Sequence, residues 1–251
     1  VVVVNAGSVV TMDWAEEAPA VLQSWFGGQE MGDALVDVLF GDAEPGGRLP
    51  TTVPHRLEDT PAFTSYPGEA GLVHYAEGVF VGYRWYEARD IEVAYPFGHG
   101  LGYTTFSWGD ARLGEVPSAA ELADGATVTA TVAVANVGDR PGSEVVQCYV
   151  AHLDPVFARP PQELRGFAKV HLEPGETIDV SIELDHRAFA YWDPADPGYT
   201  DRNHRVPVAA GGGHVGHREE AGWYADPGAY EVRLGTSSAD IRAVLELTLE
   251  G

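Results

Sequence analysis

Several groups of side chains in this sequence have the types and spacing to do chemistry. Asp13 and Trp14 stand in a loop just after an apolar strand, where an indole face can stack on a flat ligand rich in C–H groups. The alternative for Trp14 is packing under the next helix. Glu30 opens a helix, where the helix dipole stabilises a carboxylate without any catalytic duty. Glu77 and Arg84, seven apart in YAEGVFVGYR, read as a structural ion pair rather than an acid/base site. His214-x2-His217, with His204, Glu219, Glu220 and Asp226, supplies metal-ligand types. That stretch is Gly-rich, so a solvated loop is the simpler reading, and no metal or other cofactor is assigned.

Other candidates are weaker still. Cys148 is the only cysteine, so no intrachain disulfide is expected. It lies in the alternating run EVVQCYV and reads as a small buried apolar residue, with no His placed locally to activate it. Gly7, Gly98, Gly100 and Gly102 lack the strand–glycine–helix context of a phosphate site and suit close backbone turns instead. Tyr75, Phe80, Tyr83, Trp85, Tyr86, Tyr95 and Phe97 read as core and joint packing, with room for one or two to line a cleft.

Composition narrows the partners. The 251 residues include 38 acidic and 15 basic side chains, for a formal charge of −23. So acidic a surface argues against nucleic acid and anionic membranes, both of which need Lys and Arg. Lys169 is the only lysine; an acid-rich, Lys-poor surface fits high salt and equally fits biased codon usage. With 45% hydrophobic residues there is material for a core. No apolar run approaches the ~18 residues of a membrane span. The opening VVVVNAGSVV lacks the basic region and cleavage site of a signal peptide.

The elements that must position these groups fall into two textures. Val1 to Val4 is a continuous β-branched run, as in a parallel strand buried on both faces. Residues 15–25 place Ala18, Val21, Leu22 and Trp25 at helical spacing, and residues 29–40 form a second helix capped by Gly41. Leu49 to Val53 and Val79 to Tyr83 are short extended pieces, enough for a sheet edge only. The other strands of the Val1–Val4 sheet are therefore expected upstream. From about residue 106 the texture changes to short strands and turns. Strands are expected near 105–113 and over 127–135, 144–150, 163–172, 177–184, 229–235 and 241–249, with another near 186–192. About seven short strands with regular turns indicate an immunoglobulin-like or fibronectin-III-like sandwich. Residues 193–226 read as a long insertion.

Six segments in order carry a family resemblance. They are SWFGGQEMGDALVDVLFGDAEPGGRLPTTVP (24–54), YAEGVFVGYRWY (75–86), YPFGHGLGYTTF (95–106), then VANVGDRPGSEVVQCYV, PPQELRGFAKVHLEPGE and PGAYEVRLGTSS. Together they resemble the C-terminal part of glycoside hydrolase family three, the β-glucosidase and β-xylosidase group. The resemblance implies an α/β plus all-β chain. Residues 1–105 would be the C-terminal portion of an α/β sandwich domain, and residues 106–251 a fibronectin-III-like β-sandwich with the insertion near 193–226. The family's (β/α)8 barrel and the early half of the sandwich are absent.

The resemblance also implies a mechanism. Retaining glycosidases set a nucleophilic carboxylate and an acid/base carboxyl ~5–5.5 Å apart, one ionised and one held protonated. The family's nucleophile belongs to the barrel, and its usual acid/base segment precedes the VVVV strand. No catalytic residue is therefore carried onto this chain. Asp13-Trp14 mimics the Asp-Trp pair of the family's nucleophile but follows the wrong strand. Trp14 remains as the one candidate substrate-binding residue, for stacking on sugar. The expected partners are a β-glucoside or oligosaccharide substrate and the N-terminal barrel in cis, with neither nucleic acid nor membrane. The rival reading is a non-catalytic carbohydrate-binding or scaffold module. It is opposed by the sheet edges and apolar faces that half a sandwich would expose.

Overall fold

The computed structural model describes residues 1–195 and 220–251. Strand β1 (Val2–Val4) pairs in parallel with β2 (Val21–Gln23), Val2 against Val21 and Val4 against Gln23. The helix expected over residues 15–25 is thus corrected. It shrinks to one 3₁₀ turn, Ala15–Glu17, followed by β2. Pro19 has no N–H to donate and restricts Ala18 to extended backbone, which it adopts (ψ 123°). Pairing with β1 then outweighs the helical spacing downstream.

Helix α1 (Met31–Phe40) ends at Gly41, whose φ of 85° needs glycine. Strand β3 (Val53–Pro54) pairs antiparallel with β4 (Val93–Tyr95). The extended piece expected over 79–83 instead runs into helix α2 (Tyr83–Ala88). A small apolar core of Met12, Ala15 and Val53 holds this part together, with Val4, Val21, Leu49 and Tyr95 packed around it. The full burial expected for Val1–Val4 does not hold here. Val2 and Val3 are 38% and 37% exposed, and among the described residues β1 pairs with β2 alone.

Residues from 106 onward form two facing sheets. One is β5 (Phe106–Leu113), β6 (Val128–Asn136) and β9 (Thr177–Leu184). The other runs in the order β13 (Ile241–Leu249), β12 (Gly228–Gly235), β7 (Gly142–His152) and β8 (Glu163–Leu172). All pairings are antiparallel. These seven strands match the seven read from alternation. Their inward residues, including Val132, Val146, Leu184 and Val232, form the main core, closed at one end by Leu122 from helix α3 (Ala119–Ala123). The strand expected near 186–192 is instead helix α4 (His186–Phe189), then β10 (Tyr191–Asp193). Asp185 starts that helix by accepting from the Ala188 N–H at 3.1 Å. Strand β10 pairs with β11 (Gly222–Tyr224) as a separate two-stranded ribbon.

The two parts meet at a polar joint. Arg48 pairs with Glu144 at 2.7 Å, Arg84 with Glu163 at 3.3 Å, and the Leu164 N–H donates to the Tyr83 hydroxyl at 2.7 Å. The ion pair expected between Glu77 and Arg84 is thereby corrected. β8 offers Arg84 a half-buried carboxylate that sequence spacing could not reveal.

Candidate functional site

The C-terminal ends of the parallel strands β1 and β2 are where a ligand crevice is expected in an open α/β sheet. The chain after β1 turns through Asn5–Ser8, and the chain after β2 through Ser24–Gly27. Trp25 adopts a φ of 53° there, and this turn leaves the Phe26 ring 79% exposed over Gly7. A non-glycine residue in that region is strained, a mark often found at ligand-binding turns.

Trp14 precedes the 3₁₀ turn and is half-buried, packed on the small core of Met12, Ala15 and Val53. One side of the indole is thus committed to packing and the remainder reaches solvent. Several carboxylates lie near it in sequence. Asp13, Glu16, Glu17 and Glu30 are all exposed.

Beyond the β1 turn lies an open cavity of about 590 Å³. Residues Ser8–Thr11 form one wall; Thr52, Leu57, Thr60 and Tyr86 form the other. Thr52 is 5% exposed, and its hydroxyl has no hydrogen-bond partner among the described residues. Burial pushes the Tyr86 phenol above its ordinary range, with the Asp59 charge adding to the effect. The rim is pinned. The Trp85 indole N–H donates to the Asp59 carbonyl at 3.0 Å, and Arg56 grips the Asp59 carboxylate at 2.6 Å. The Arg89 guanidinium lies 3.8 Å from the centre of the Trp85 ring. Hydroxyls, an aromatic and apolar walls without a charged centre suit a neutral polar ligand. Sequence reasoning missed Thr51 and Thr52, since threonines in a Pro-flanked stretch look like any extended linker.

The carboxyl most perturbed by burial sits elsewhere. Burial raises Glu87 to about 7. It faces Gln162 and Ser238 in the joint, not the crevice. Among the aromatics, Tyr83 stacks on Phe97 at 4.8 Å and meets Tyr149 edge-on at 6.0 Å, so both serve the joint. Burial pushes the Cys148 thiol to about 12, as a structural cysteine requires. Of the histidine-rich group, His204, His214, His217 and Glu219 lie outside the described residues. Glu220 is exposed and Asp226 buried.

Comparison with known proteins agrees with this anatomy. Residues 1–103 match the glycosyl hydrolase family 3 C-terminal domain, and residues 144–212 match a fibronectin type III-like domain. The chain is 45% identical over 255 residues to a beta-glucosidase of Rhizobium radiobacter, covering 99% of this chain and 27% of that protein. A probable beta-glucosidase I of Aspergillus clavatus is 48% identical over 194 residues, 77% of this chain and 23% of the relative. The crystal structure of a beta-glucosidase from Bifidobacterium adolescentis superposes with a TM-score of 0.82 at 40% identity, over 99% of this chain and 32% of that one. The chain thus spans about a quarter of the length of its curated relatives. It belongs to glycosyl hydrolase family 3, as the C-terminal portion of the α/β sandwich domain followed by the fibronectin type III-like sandwich.

Proposed function

We propose that this chain is the C-terminal portion of a retaining exo-β-glycosidase that removes terminal β-D-glucosyl residues, a β-xylosidase being the second reading. The observation that carries this is the 45% identity to a beta-glucosidase across 99% of the chain. The surface supports it. Of the 25 exposed large apolar side chains among the described residues, 18 lie in residues 1–103 and seven beyond. Exposed apolar side chains so numerous in this part favour a covering body. A preceding (β/α)8 barrel would be that body. The joined α/β portion (residues 1–105) and sandwich (106–251) would then buttress the cleft.

The nucleophile is assigned to that barrel and the acid/base carboxyl to the segment preceding the VVVV strand. The exposure of the acids around the β1 and β2 turns, and the place of Glu87 in the joint, support that assignment, since the reaction needs a pair ~5–5.5 Å apart with one member held protonated. Trp14 is assigned to one wall of the cleft, its solvent-facing side available to a sugar.

The test uses p-nitrophenyl β-glucoside and β-xyloside. The protein extended upstream should hydrolyse the glucoside faster, with the β-anomer appearing first by NMR. The 251-residue chain alone should be inactive. Enzyme-like rates from the chain alone would overturn the placement of the carboxylates. In the extended protein, Trp14→Ala should raise KM several-fold with kcat nearly unchanged, since one sugar–indole stack contributes roughly 1 kcal/mol.

A further inference from the structure

The ribbon of β10 and β11 holds two tryptophans that packing does not explain. Trp192 and Trp223 are direct cross-strand partners, 51% and 36% exposed. Alternation along the strands sends their neighbours to the opposite side. There Asp193 is 1% exposed, and the Tyr191 ring lies 5.5 Å from Phe157 and 5.9 Å from the Arg159 guanidinium. The inner face of the ribbon is therefore anchored. A one-residue slip would bury the indoles and expose an aspartate and two tyrosines. The outward placement of both tryptophans is fixed by the fold.

The pair is also held in a defined shape. The rings meet edge-on, 5.6 Å apart at 62°. The Arg187 guanidinium covers Trp223 at 4.0 Å from the ring centre. Arg187 projects from α4, a helix tied down where Arg165 donates to the Arg187 carbonyl at 3.1 Å and the Ala190 carbonyl at 3.3 Å. The guanidinium brings N–H donors to the edge of the aromatic pair. Trp223, clamped by Arg187, props Trp192, whose ring reaches solvent.

We propose that Trp192, Trp223 and Arg187 form a carbohydrate platform on the sandwich that binds a neutral glucan chain. An open indole face suits the C–H face of a pyranose, and the rim guanidinium suits its hydroxyls. The formal charge of −23 opposes both a polyanion and a second copy of the same chain as occupant. The choice of a glucan rests on the glycosidase reading. The platform would hold the body of a polymer whose non-reducing end is the substrate.

Affinity electrophoresis of the whole protein in gels with and without soluble mixed-linkage β-glucan tests this. An exo-acting enzyme leaves such a polymer largely intact. The wild type should be retarded by the glucan. Trp192→Ala/Trp223→Ala should weaken apparent affinity roughly tenfold, the equivalent of about 1.4 kcal/mol. Trp192→Phe/Trp223→Phe should retain part of it. Because both indoles are exposed, the variants should keep Tm within about 3 °C of wild type and leave p-nitrophenyl β-glucoside hydrolysis unchanged. Equal retardation of wild type and the alanine variant, or none of the wild type, overturns the platform. So does a shift from dimer to monomer in sedimentation without loss of glucan binding, which makes the pair a self-interface. Loss of hydrolysis in every sample with retardation intact overturns the glycosidase reading and leaves the platform standing.

Discussion

Glu87 concentrates the electrostatics of the joint in one side chain. Gln162 Nε2 donates to one of its carboxyl oxygens at 3.2 Å; the other is buried with no partner among the described residues. Gln162 also donates to the Ser238 carbonyl at 2.7 Å and accepts from Arg233 at 3.2 Å, and Arg233 is itself paired with Glu231 at 2.6 Å. The Tyr149 phenol completes the surroundings. Burial dominates, raising the carboxyl from its ordinary 4.5 to about 7. Between those pH values the unfolded chain has lost the proton and the folded chain keeps it. Stability therefore falls as pH rises from 4.5 to 7, by no more than about 3 kcal/mol, and the penalty is constant above that. Glu87→Gln removes the titration and keeps the shape. The variant's Tm should fall less than the wild type's across that window, and the two curves should converge at the acid end. Parallel curves from thermal melts at pH 4.5 to 8 would show that Glu87 does not titrate in the folded protein.

At the scale of elements, Asn136 binds together pieces far apart in sequence. It is fully buried at the end of β6. Its amide donates to the Arg140 carbonyl at 2.7 Å and the Leu172 carbonyl at 2.9 Å. Its side-chain oxygen accepts from Thr104 at 2.7 Å and from the Gly138 N–H at 3.1 Å. One side chain thus fixes the β6–β7 turn, the end of β8 and the segment entering β5. Asn136→Ala leaves these buried groups unpaired and should cost about 3 kcal/mol, read as a lower urea midpoint with an unchanged m-value. The sandwich strands were legible because TVTATVAVA and TIDVSIEL alternate, and alternation records one dry and one wet face directly. Strand β2 was not. Its three residues Val21–Gln23 sit among Ala18, Leu22 and Trp25, which also satisfy a helical period. Only the pairing with β1 decides between the two, and no local pattern contains that pairing. The cavity beside Thr52 and the ribbon tryptophans were hidden for the same reason. Residues 8–11, 51–61 and 82–86 converge in space alone, and Trp192 and Trp223 are 31 positions apart.

Across the whole molecule the joint determines whether the two parts behave as one body. Arg48 and Glu144 have only 10% and 8% of their side chains exposed and meet at 2.7 Å. Further ties surround them: Glu44 accepts from the Ser143 N–H at 2.6 Å, Arg140 donates to the Gly41 carbonyl at 2.5 Å, and Gln147 donates to the Gly98 carbonyl at 3.0 Å. These bonds link residues 41–48 and 98 to β7 and the turn before it. The sandwich has its own extensive core, whereas the first part has a small one and much exposed apolar surface. The weaker part therefore depends on the joint more than the sandwich does. Arg48→Ala strands the Glu144 charge in a nearly dry site, a loss on the order of 3–5 kcal/mol. It should fall on the first part. Calorimetry of the 251-residue chain should change from one transition to two, with the lower one reporting residues 1–105. Arg48→Met/Glu144→Gln, which leaves no buried charge behind, should restore much of the lost cooperativity. A single transition in Arg48→Ala, shifted as a whole, would show that the remaining ties suffice and that the ion pair contributes stability without governing the coupling.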